Sequence, residues 1–272
     1  MSSLAKAYRI KPGDRFHLNA ISPSHHPFCK DKEESKKDIP DILERLSVLQ
    51  NLLYANKTHS LLIILQGMDS SGKDGTIRHV MSGVSPQGCQ VAYFKEPTPE
   101  ELAHDFLWRV HAKTPPKGFI GIFNRSHYED VLVTRVHRII SDDIAEKRLK
   151  AIQHFEKLLI ANGTMILKFF LHISKEEQRE RLEARIKDPH KRWKLSPTDL
   201  ADREKWKQFQ TVYEETIKAT STEDAPWFII PADHKWYRNW VIGHLVVETL
   251  EAMRLKTPKP DPRMNFKSLK VP

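Results

Sequence analysis

Apolar and polar positions follow two different rhythms along this chain. From residue 60 onward, short runs of consecutive apolar residues have the length of buried strands, and the segments between them carry an apolar residue every three or four positions, as helices do. The predicted strands are residues 61–66, 90–94, 119–123, 165–171 and 227–230. This alternation predicts an α/β fold with a five-stranded parallel sheet and helices on both faces.

Capping residues indicate where the helices begin. Asp38, with Pro40 in the following turn, predicts the start of the first long helix, and Ser174 with Glu177 has the spacing of a capping box. Further helices are expected over about residues 99–112, from Ser141 to Gly163, over about 199–219, and at the end of the periodic region to about 254.

The periodic region shows neither an internal repeat nor a linker, so we interpret residues 38–255 as one domain. Residues 1–37 are polar and loop-like, and we expect them to form an N-terminal arm that lies on the surface. The Pro-rich residues 256–272 are expected to form an extended C-terminal tail.

The charge of the chain favours an anionic partner. The net charge is +9 and the sequence pI is about 9.4, which suits a nucleic acid, an anionic membrane or a polyphosphorylated substrate equally well. Two cysteines imply no disulfide framework. The chain lacks a long apolar run after a basic start and any segment near the roughly 20 apolar residues of a membrane span. We therefore expect a cytoplasmic protein with no membrane partner.

A phosphate-binding loop follows the first predicted strand. Residues 67–73 read Gly-Met-Asp-Ser-Ser-Gly-Lys and match the pattern G-x-x-x-x-G-K. Gly67 and Gly72 allow a tight turn that points backbone N–H groups at an anion, and Lys73 adds a positive charge at the start of a helix. The position between an apolar strand and an amphipathic helix is the context that this motif requires.

Two acidic residues depart from the usual phosphate loop. Asp74 stands where a Ser or Thr commonly binds magnesium, and Asp69 lies inside the loop. A carboxylate beside phosphates is repelled unless a cation lies between them, so we expect Asp69 to face Mg²⁺. Asp74 is either a second metal-facing group or a first-turn charge favoured by the helix dipole.

Polar residues also follow the third strand. Asn124 ends that strand, and Arg125, Glu129 and Asp130 come within the next turn. Ligands of open α/β sheets bind at the carboxyl ends of strands, where Arg125 is placed to clamp phosphates. Because Asn124 is neutral, Glu129 or Asp130 is the candidate for the charge that a metal site needs, although both also favour a helix N-terminus.

Residues 185–198 form a basic segment, and its first ten residues read Arg-Ile-Lys-Asp-Pro-His-Lys-Arg-Trp-Lys. It lies where a P-loop kinase carries its lid, and its arginines are placed to offset the charge of a transferring phosphoryl group. A charged run of this kind is also typical of a solvated face.

Four ordered blocks of this sequence resemble the type 2 polyphosphate kinase family over about residues 40–255. They are residues 67–75, residues 123–130, residues 191–194, and the pair 225–227 and 231–233. The resemblance implies a fold similar to thymidylate kinase with a basic helical lid. It implies reversible, Mg²⁺-dependent transfer (with Mn²⁺ as a substitute) between inorganic polyphosphate and AMP, ADP or ATP. It further implies a homo-dimer or homo-tetramer.

The resemblance also assigns site residues. Asp69 is implied as a metal ligand and a positioner of the acceptor phosphate, and Glu129 as the acid that replaces the aspartate found in many members at Asn124. This combination resembles the subgroup that phosphorylates both AMP and ADP. The implied phosphate-binding residues are Gly67, Ser70, Ser71, Gly72, Lys73, Asp74, Gly75, Arg125, Arg185, Lys191 and Arg192. The implied acceptor-side residues are Lys95, Glu96 and Pro97.

Two other functions suit parts of this pattern. An ATP-dependent nucleoside monophosphate kinase would use the same scaffold but needs a pocket for the base of its donor. A non-catalytic polyanion or nucleic-acid binder would explain the charge, but not the ordered set of Asp69, Lys73 and Arg125. The sequence also lacks the aromatic signature of an RNA-binding sheet, so we expect no nucleic-acid partner.

Overall fold

Five parallel strands form the centre of the fold, and a sixth, antiparallel strand extends one edge. The computed structural model describes residues 1–264. The strands are β1 (Arg9–Ile10), β2 (Ser60–Gln66), β3 (Cys89–Tyr93), β4 (Ile120–Asn124), β5 (Thr164–His172) and β6 (Trp227–Pro231). Their order across the sheet is β1-β6-β5-β2-β4-β3. The expected parallel strands are all present, and each begins and ends within one residue of its predicted bounds.

The expected count of five strands is wrong, because the sheet has six. Strand β1 pairs antiparallel with β6, with Arg9 opposite Phe228 and Ile10 opposite Trp227. The N-terminal arm is therefore not a surface loop, since it contributes a strand to the sheet. It also buries Leu4 and Tyr8 in the core. A two-residue strand is too short to produce a periodic pattern, so periodicity did not predict it.

Helices cover both faces of the sheet. They are α1 (Ser3–Tyr8), α2 (Lys32–Asn56), α3 (Lys73–Val80), α4 (Pro99–Leu102), α5 (Trp108–His111), α6 (Glu129–Val136), α7 (Asp142–Ala161), α8 (Lys175–Lys187), α9 (Pro197–Glu204), α10 (Trp206–Thr220) and α11 (Lys235–Ala252). Within residues 1–264, no helix combines the length and the apolar character that crossing a membrane requires.

The first long helix begins earlier than predicted. Asp31 caps α2 by accepting hydrogen bonds from the backbone N–H groups of Glu33 and Glu34, whereas Pro40 lies inside the helix. The predicted boundary between arm and domain, after residue 37, thus falls within a helix. At the other end, the predicted tail covers residues 256–272, of which 265–272 lie outside the described residues.

Two predicted helices are each divided. The segment 99–112 forms α4 and α5, because the side chain of Asp105 accepts a hydrogen bond from the backbone of Leu107 and starts a separate turn. The segment 199–219 forms α9 and α10, which meet at Lys205. Local side-chain hydrogen bonds of this kind compete with helix continuation, and periodicity alone does not detect them.

A fully buried polar cluster lies beneath strand β5. Lys168 Nζ donates to Glu156 Oε2 at 2.6 Å, to the Thr220 carbonyl at 2.8 Å and to Tyr128 Oη at 3.1 Å. Tyr128 Oη donates in turn to the other carboxylate oxygen of Glu156 at 2.8 Å. All three ammonium protons of Lys168 therefore have acceptors, which is the condition for a buried charge to be tolerated. The attraction of Lys168 holds the pKa of Glu156 below its ordinary value against the opposing effect of burial.

The parallel register brings the two predicted polar clusters together. Leu65, near the end of β2, lies opposite Asn124 at the end of β4. The backbone N–H of Arg125 donates to the carbonyl of Leu65 at 3.1 Å. The loop that starts at Gly67 and the segment that starts at Arg125 therefore leave the sheet side by side.

Candidate active site

The phosphate loop connects β2 to α3 through a tight turn. Gly67, Ser70 and Gly72 have φ angles of 150°, 65° and 103°, and Gly72 is the residue that precedes the helix. The two glycines also lack space for a side chain. A Cβ at Gly67 would lie 2.8 Å from the carbonyl oxygen of Leu171, and a Cβ at Gly72 would overlap the guanidinium of Arg238. The loop thus has the backbone form and close packing that the G-x-x-x-x-G-K pattern requires.

Lys73 is buried and folds back over its own loop. Its Nζ donates to the carbonyl of Gly67 at 2.7 Å and to that of Met68 at 3.3 Å. Burial lowers the pKa of Lys73, and the positive charge of Arg125 lowers it further, while nearby carboxylates oppose both effects. The ammonium group thus lies inside the loop, where an anion would meet it.

Two serine hydroxyls of the loop are buried without hydrogen-bond partners among residues 1–264. They are Ser70 Oγ and Ser71 Oγ. An unpaired buried hydroxyl is unfavourable unless a ligand satisfies it, and phosphate oxygens accept such bonds well. This observation fits the predicted role of both serines in binding phosphate.

Arg125 joins the two acidic residues that the sequence singled out. Its Nη2 lies 2.7 Å from Asp69 Oδ1, and its Nη1 lies 3.1 Å from Glu129 Oε2. The charge of Glu129, followed by that of Asp69, raises the pKa of Arg125. Arg125 adopts a φ of 63°, which is uncommon for a residue with a side chain and directs the segment back toward the loop. The structure therefore brings Asp69, Arg125 and Glu129 into one cluster beside Lys73.

Asn124 contacts Asp74 across the same edge of the sheet. Asn124 Nδ2 donates to Asp74 Oδ1 at 2.6 Å, and Lys194 Nζ lies 3.8 Å from the other oxygen of that carboxylate. Asp74 is half exposed in the first turn of α3. This contact engages the amide nitrogen of Asn124, which leaves its Oδ1 as the atom suited to a metal. Lys194, which was not among the predicted phosphate contacts, thus reaches from the basic segment to the first turn of α3.

The predicted lid contacts divide into two groups. Arg185 lies 3.9 Å from Asp199, whose pKa burial raises, with the charge of Asp69 as the next cause. This places Arg185 beside the active site. Lys191 pairs with Asp188 at 2.6 Å, and Arg192 Nε donates to the backbone of Ile186 at 2.8 Å. Lys191 and Arg192 therefore bind within their own segment and do not contact the phosphate loop.

The predicted acceptor-side residues follow the edge strand β3. Lys95 and Glu96 are exposed, and Pro97 is half-buried. The backbone is held in place by buried Arg109, whose Nη1 donates to the carbonyl of Lys95 at 2.8 Å and whose Nη2 donates to Asp130 at 3.1 Å. Arg109 thus links the backbone of residues 95–97 to Asp130 in the segment that follows β4.

Three residues that hold the loop from behind were not predicted. Gln178 donates to the carbonyl of Asp69 at 3.0 Å, Arg181 to those of Ser70 and Ser71, and Arg238 to that of Ser71 at 3.0 Å. They lie on α8 and α11, far from the loop in sequence, and no local pattern distinguishes them from surface charges. They are identified only by the structure, in which α8 and α11 pack against the loop.

The carboxylates of the site suit a hard divalent cation. Among residues 1–264, no group of three or more Asp, Glu, His or Cys side chains converges on one point. Magnesium does not need such a group, because it is commonly held by one or two carboxylates together with substrate phosphates and water. Asp69 and Glu129, bound to the same guanidinium, supply a donor set of that kind.

Comparisons with known proteins show the family of the chain. The Polyphosphate kinase 2 family model matches residues 29–258. The AMP/ADP-polyphosphate phosphotransferase of Meiothermus ruber is 50% identical over 257 residues, which cover 94% of this chain and 96% of that protein. The ADP-polyphosphate phosphotransferase of Rhodopseudomonas palustris is 43% identical over 274 residues, covering 96% and 95%. The crystal structure of polyphosphate kinase 2 from Arthrobacter aurescens TC1 superposes with a TM-score of 0.92 at 41% identity, covering 96% and 93%. The chain belongs to the polyphosphate kinase 2 family.

Proposed function

We propose that this protein is a polyphosphate-dependent nucleotide kinase. It transfers a phosphoryl group between inorganic polyphosphate and AMP or ADP, forming ADP or ATP, and the reaction is reversible. The observation that carries the proposal is the cluster of Asp69, Arg125 and Glu129 beside the buried Lys73 of a phosphate loop. The names of the two relatives, which specify AMP/ADP and ADP as partners of polyphosphate, support the choice of substrates.

The reaction is a direct in-line displacement. An oxygen of the terminal phosphate of the nucleotide forms a bond to the terminal phosphorus of polyphosphate. The bridging P–O bond to the rest of the chain breaks, and its electron pair leaves with the shortened polyphosphate. The attacking oxygen is already ionised near neutral pH, so no general base is needed, and catalysis rests on positioning and charge neutralisation. Lys73 and Arg125 supply positive charge, and the loop N–H groups hold the phosphate chain.

Magnesium is the proposed metal, and Mn²⁺ is the expected substitute. Asp69 and Glu129 would hold it, with Asn124 Oδ1 as a further oxygen donor. When bound, the ion would neutralise charge on the phosphate oxygens. Arg125 holds the two carboxylates close to the loop, since each is paired with its guanidinium.

We also propose a homo-dimer or homo-tetramer that acts in the cytoplasm without a nucleic-acid partner. These proposals follow from family resemblance and from the composition of the chain. Sedimentation velocity over a range of protein concentrations tests the assembly, because a species of the monomer mass at every concentration would contradict it.

A comparison of phosphoryl donors tests the function. The protein is incubated with AMP or ADP and Mg²⁺, with either long-chain polyphosphate or ATP as donor, and the nucleotide products are separated. We expect polyphosphate to support the formation of ADP and ATP. Activity with ATP alone would instead indicate a nucleoside monophosphate kinase. Binding of polyphosphate without any product would indicate a polyanion binder.

A single substitution tests the assignment of the loop. Lys73→Ala is expected to lower kcat/KM with polyphosphate by about 100- to 1000-fold, the range found when one donor that stabilises transition-state charge is removed. The thermal unfolding midpoint serves as the control for folding. Full activity in a folded Lys73→Ala protein would contradict the assignment.

A further inference from the structure

The guanidinium of Arg238 is a buried positive charge that no acidic side chain among residues 1–264 pairs with. Arg238 lies in the first turn of α11 and is 2% exposed. No carboxylate of residues 1–264 lies within 4.0 Å of its nitrogens. Burial lowers the pKa of Arg238, and the positive charge of Arg181 lowers it further, with no acidic group opposing them. A buried charge without a counter-charge is unfavourable for folding, so its presence needs a reason.

Other buried arginines of this chain are paired with acids. Arg109 lies 3.1 Å from Asp130 and 3.6 Å from Glu101, and Arg181 lies 2.6 Å from Glu177. Arg238 differs from both in having neutral partners. The contrast indicates that the lack of a counter-charge is specific to the position of Arg238.

That position is directly behind the phosphate loop. Arg238 Nη1 donates to the carbonyl of Ser71 at 3.0 Å, and a Cβ on Gly72 would overlap the same nitrogen. A Cβ on Gly75 would lie 3.4 Å from Nη2. The guanidinium therefore packs against the backbone of the loop and against the first turn of α3.

The hydrogen bond to Ser71 also sets the direction of the next peptide group. In a trans peptide the C=O and the N–H point in opposite directions, and no peptide bond within residues 1–264 is cis. Because the Ser71 carbonyl faces Arg238, the N–H of Gly72 faces the other side of the loop. That N–H donates to no residue within 1–264. It is thus available to an anion that lies in the loop.

Hydrogen bonding alone does not explain why a charge is buried there. Arg181 already donates to Ser71 O at 3.0 Å, and it directs its remaining N–H groups to Ser70 O, Ala232 O, Asp233 O and Glu177. The bond from Arg238 to Ser71 is therefore a second one. Its other donors reach Asn239 Oδ1, on a half-buried side chain that water can serve. A neutral side chain at 238 would leave no buried acceptor without a donor.

We propose that Arg238 is a positioning residue whose counter-charge is the phosphate chain of the substrate. It strengthens phosphate binding through the Ser71–Gly72 peptide and through its charge, and it does not touch the ligand. The inference rests on the proposed function, since it requires that phosphates bind in this loop. The charge of Arg238 contributes to phosphate binding and does not contribute to folding stability.

The test compares Arg238→Met with the native protein in two measurements. The first is the thermal unfolding midpoint without phosphate, which we expect to stay unchanged or to rise, because an unpaired buried charge is replaced by an apolar side chain. The second is the Kd of inorganic tripolyphosphate with Mg²⁺, measured by calorimetry. We expect this Kd to rise by about 10- to 100-fold, the range typical of residues that orient the direct ligands of a site. In turnover, KM for polyphosphate should change more than kcat.

Two further variants separate charge from structure. Arg181→Met removes donors from the buried carbonyls of Ser70 and Ala232 and from the part-buried carbonyl of Asp233, and should lower the unfolding midpoint. Arg238→Lys keeps the charge and should recover most of the affinity that Arg238→Met loses.

The inference is overturned if Arg238→Met binds tripolyphosphate as tightly as the native protein does. It is also overturned if Arg238→Met lowers the unfolding midpoint as Arg181→Met does and Arg238→Lys binds no better. Failure of the native protein to bind tripolyphosphate would reject the proposed function, and with it this role of Arg238. Native binding with an unaffected Met variant would reject the inference alone.

Discussion

At the scale of single residues, the site depends on one guanidinium that forms ion pairs with two acids. Arg125 contacts Asp69 on the loop after β2 and Glu129 at the start of α6, so it links the segments that follow two neighbouring strands. This arrangement predicts that the two carboxylates act together when a divalent cation binds.

Asp69→Asn and Glu129→Gln should each raise the Mg²⁺ concentration that gives half-maximal activity. Loss of one oxygen ligand or of its support typically costs about 10- to 100-fold in metal affinity. Activity is measured against Mg²⁺ at saturating polyphosphate and nucleotide. Asp143→Asn, on an exposed carboxylate of α7, is the matched control and should leave the requirement unchanged. An unaltered Mg²⁺ requirement in both site variants would contradict the proposed ligands.

Residues of the site differ in how far the sequence predicted them. Lys73, Asp69 and Arg125 stand in short motifs at strand ends, where the chain itself places them, and the structure brings them together. Arg181 and Arg238 belong to helices that follow strands β5 and β6 and reach the loop only after the sheet has formed. Tertiary packing brings these two arginines to the loop, so the sequence alone did not distinguish them from other charged residues on helices.

At the scale of elements, the turn into α3 offers a comparison between two glycines. Gly72 has a φ of 103° and its Cβ would overlap Arg238, whereas Gly75 lies within the helix and its Cβ would make ordinary contact at 3.4 Å. Gly72→Ala should therefore lower the free energy of unfolding by more than about 1 kcal/mol. Gly75→Ala should leave it unchanged or raise it by about 0.5 to 1 kcal/mol, because alanine favours a helix. Chemical denaturation measures both, and equal losses would contradict the described turn.

The buried pair of Glu156 and Lys168 makes a second prediction for the core elements. Glu156→Leu leaves the ammonium group without its acid and should cost about 3 to 5 kcal/mol of unfolding free energy. The double variant Glu156→Leu with Lys168→Met should restore most of that loss, because an apolar pair replaces the ion pair. A single variant as stable as the native protein would show that the pair is not ionised.

The same pair gives the native protein a dependence on acid pH. The pKa of Glu156 is lower in the folded state than its ordinary value of 4.5. Between these two pKa values the folded state therefore binds fewer protons than the unfolded state. Its stabilisation is complete above pH 4.5 and is lost as the pH falls through the folded-state pKa. Urea unfolding at a series of acid pH values should show a steeper loss for the native protein than for the double variant. Parallel curves would contradict this.

Element boundaries were predictable where periodicity was strong and not where local hydrogen bonds intervened. The five parallel strands are predominantly apolar runs, and their bounds were predicted within one residue. Strand β1 escaped prediction because its two residues pair with β6, more than 200 positions away in the chain. Asp31, not Asp38, begins α2, since its side chain caps two N–H groups in spite of Pro40 downstream. Competition among several capping candidates is decided by packing.

At the scale of the whole molecule, the charge of +9 gives the binding of a long polyanion a dependence on salt. KM for polyphosphate should rise by about tenfold or more between about 0.1 M and 1 M salt, over which the Debye length falls from about 10 to about 3 Å. KM for AMP should rise less, since a single phosphate meets fewer charges. Steady-state kinetics in NaCl measures both, and an equal rise would show that the surface charge does not guide the polyanion.

The central claim is that polyphosphate itself donates the phosphoryl group to the nucleotide. It is tested most directly by mixing excess protein with AMP, Mg²⁺ and a short polyphosphate, in the absence of ATP, and following the phosphorus NMR spectrum through one turnover. We predict that the β-phosphate signal of ADP appears as the terminal signal of the polyphosphate shifts to that of a chain shorter by one unit. ADP that forms only after ATP is added, or polyphosphate that releases free phosphate while AMP stays unchanged, would contradict the claim.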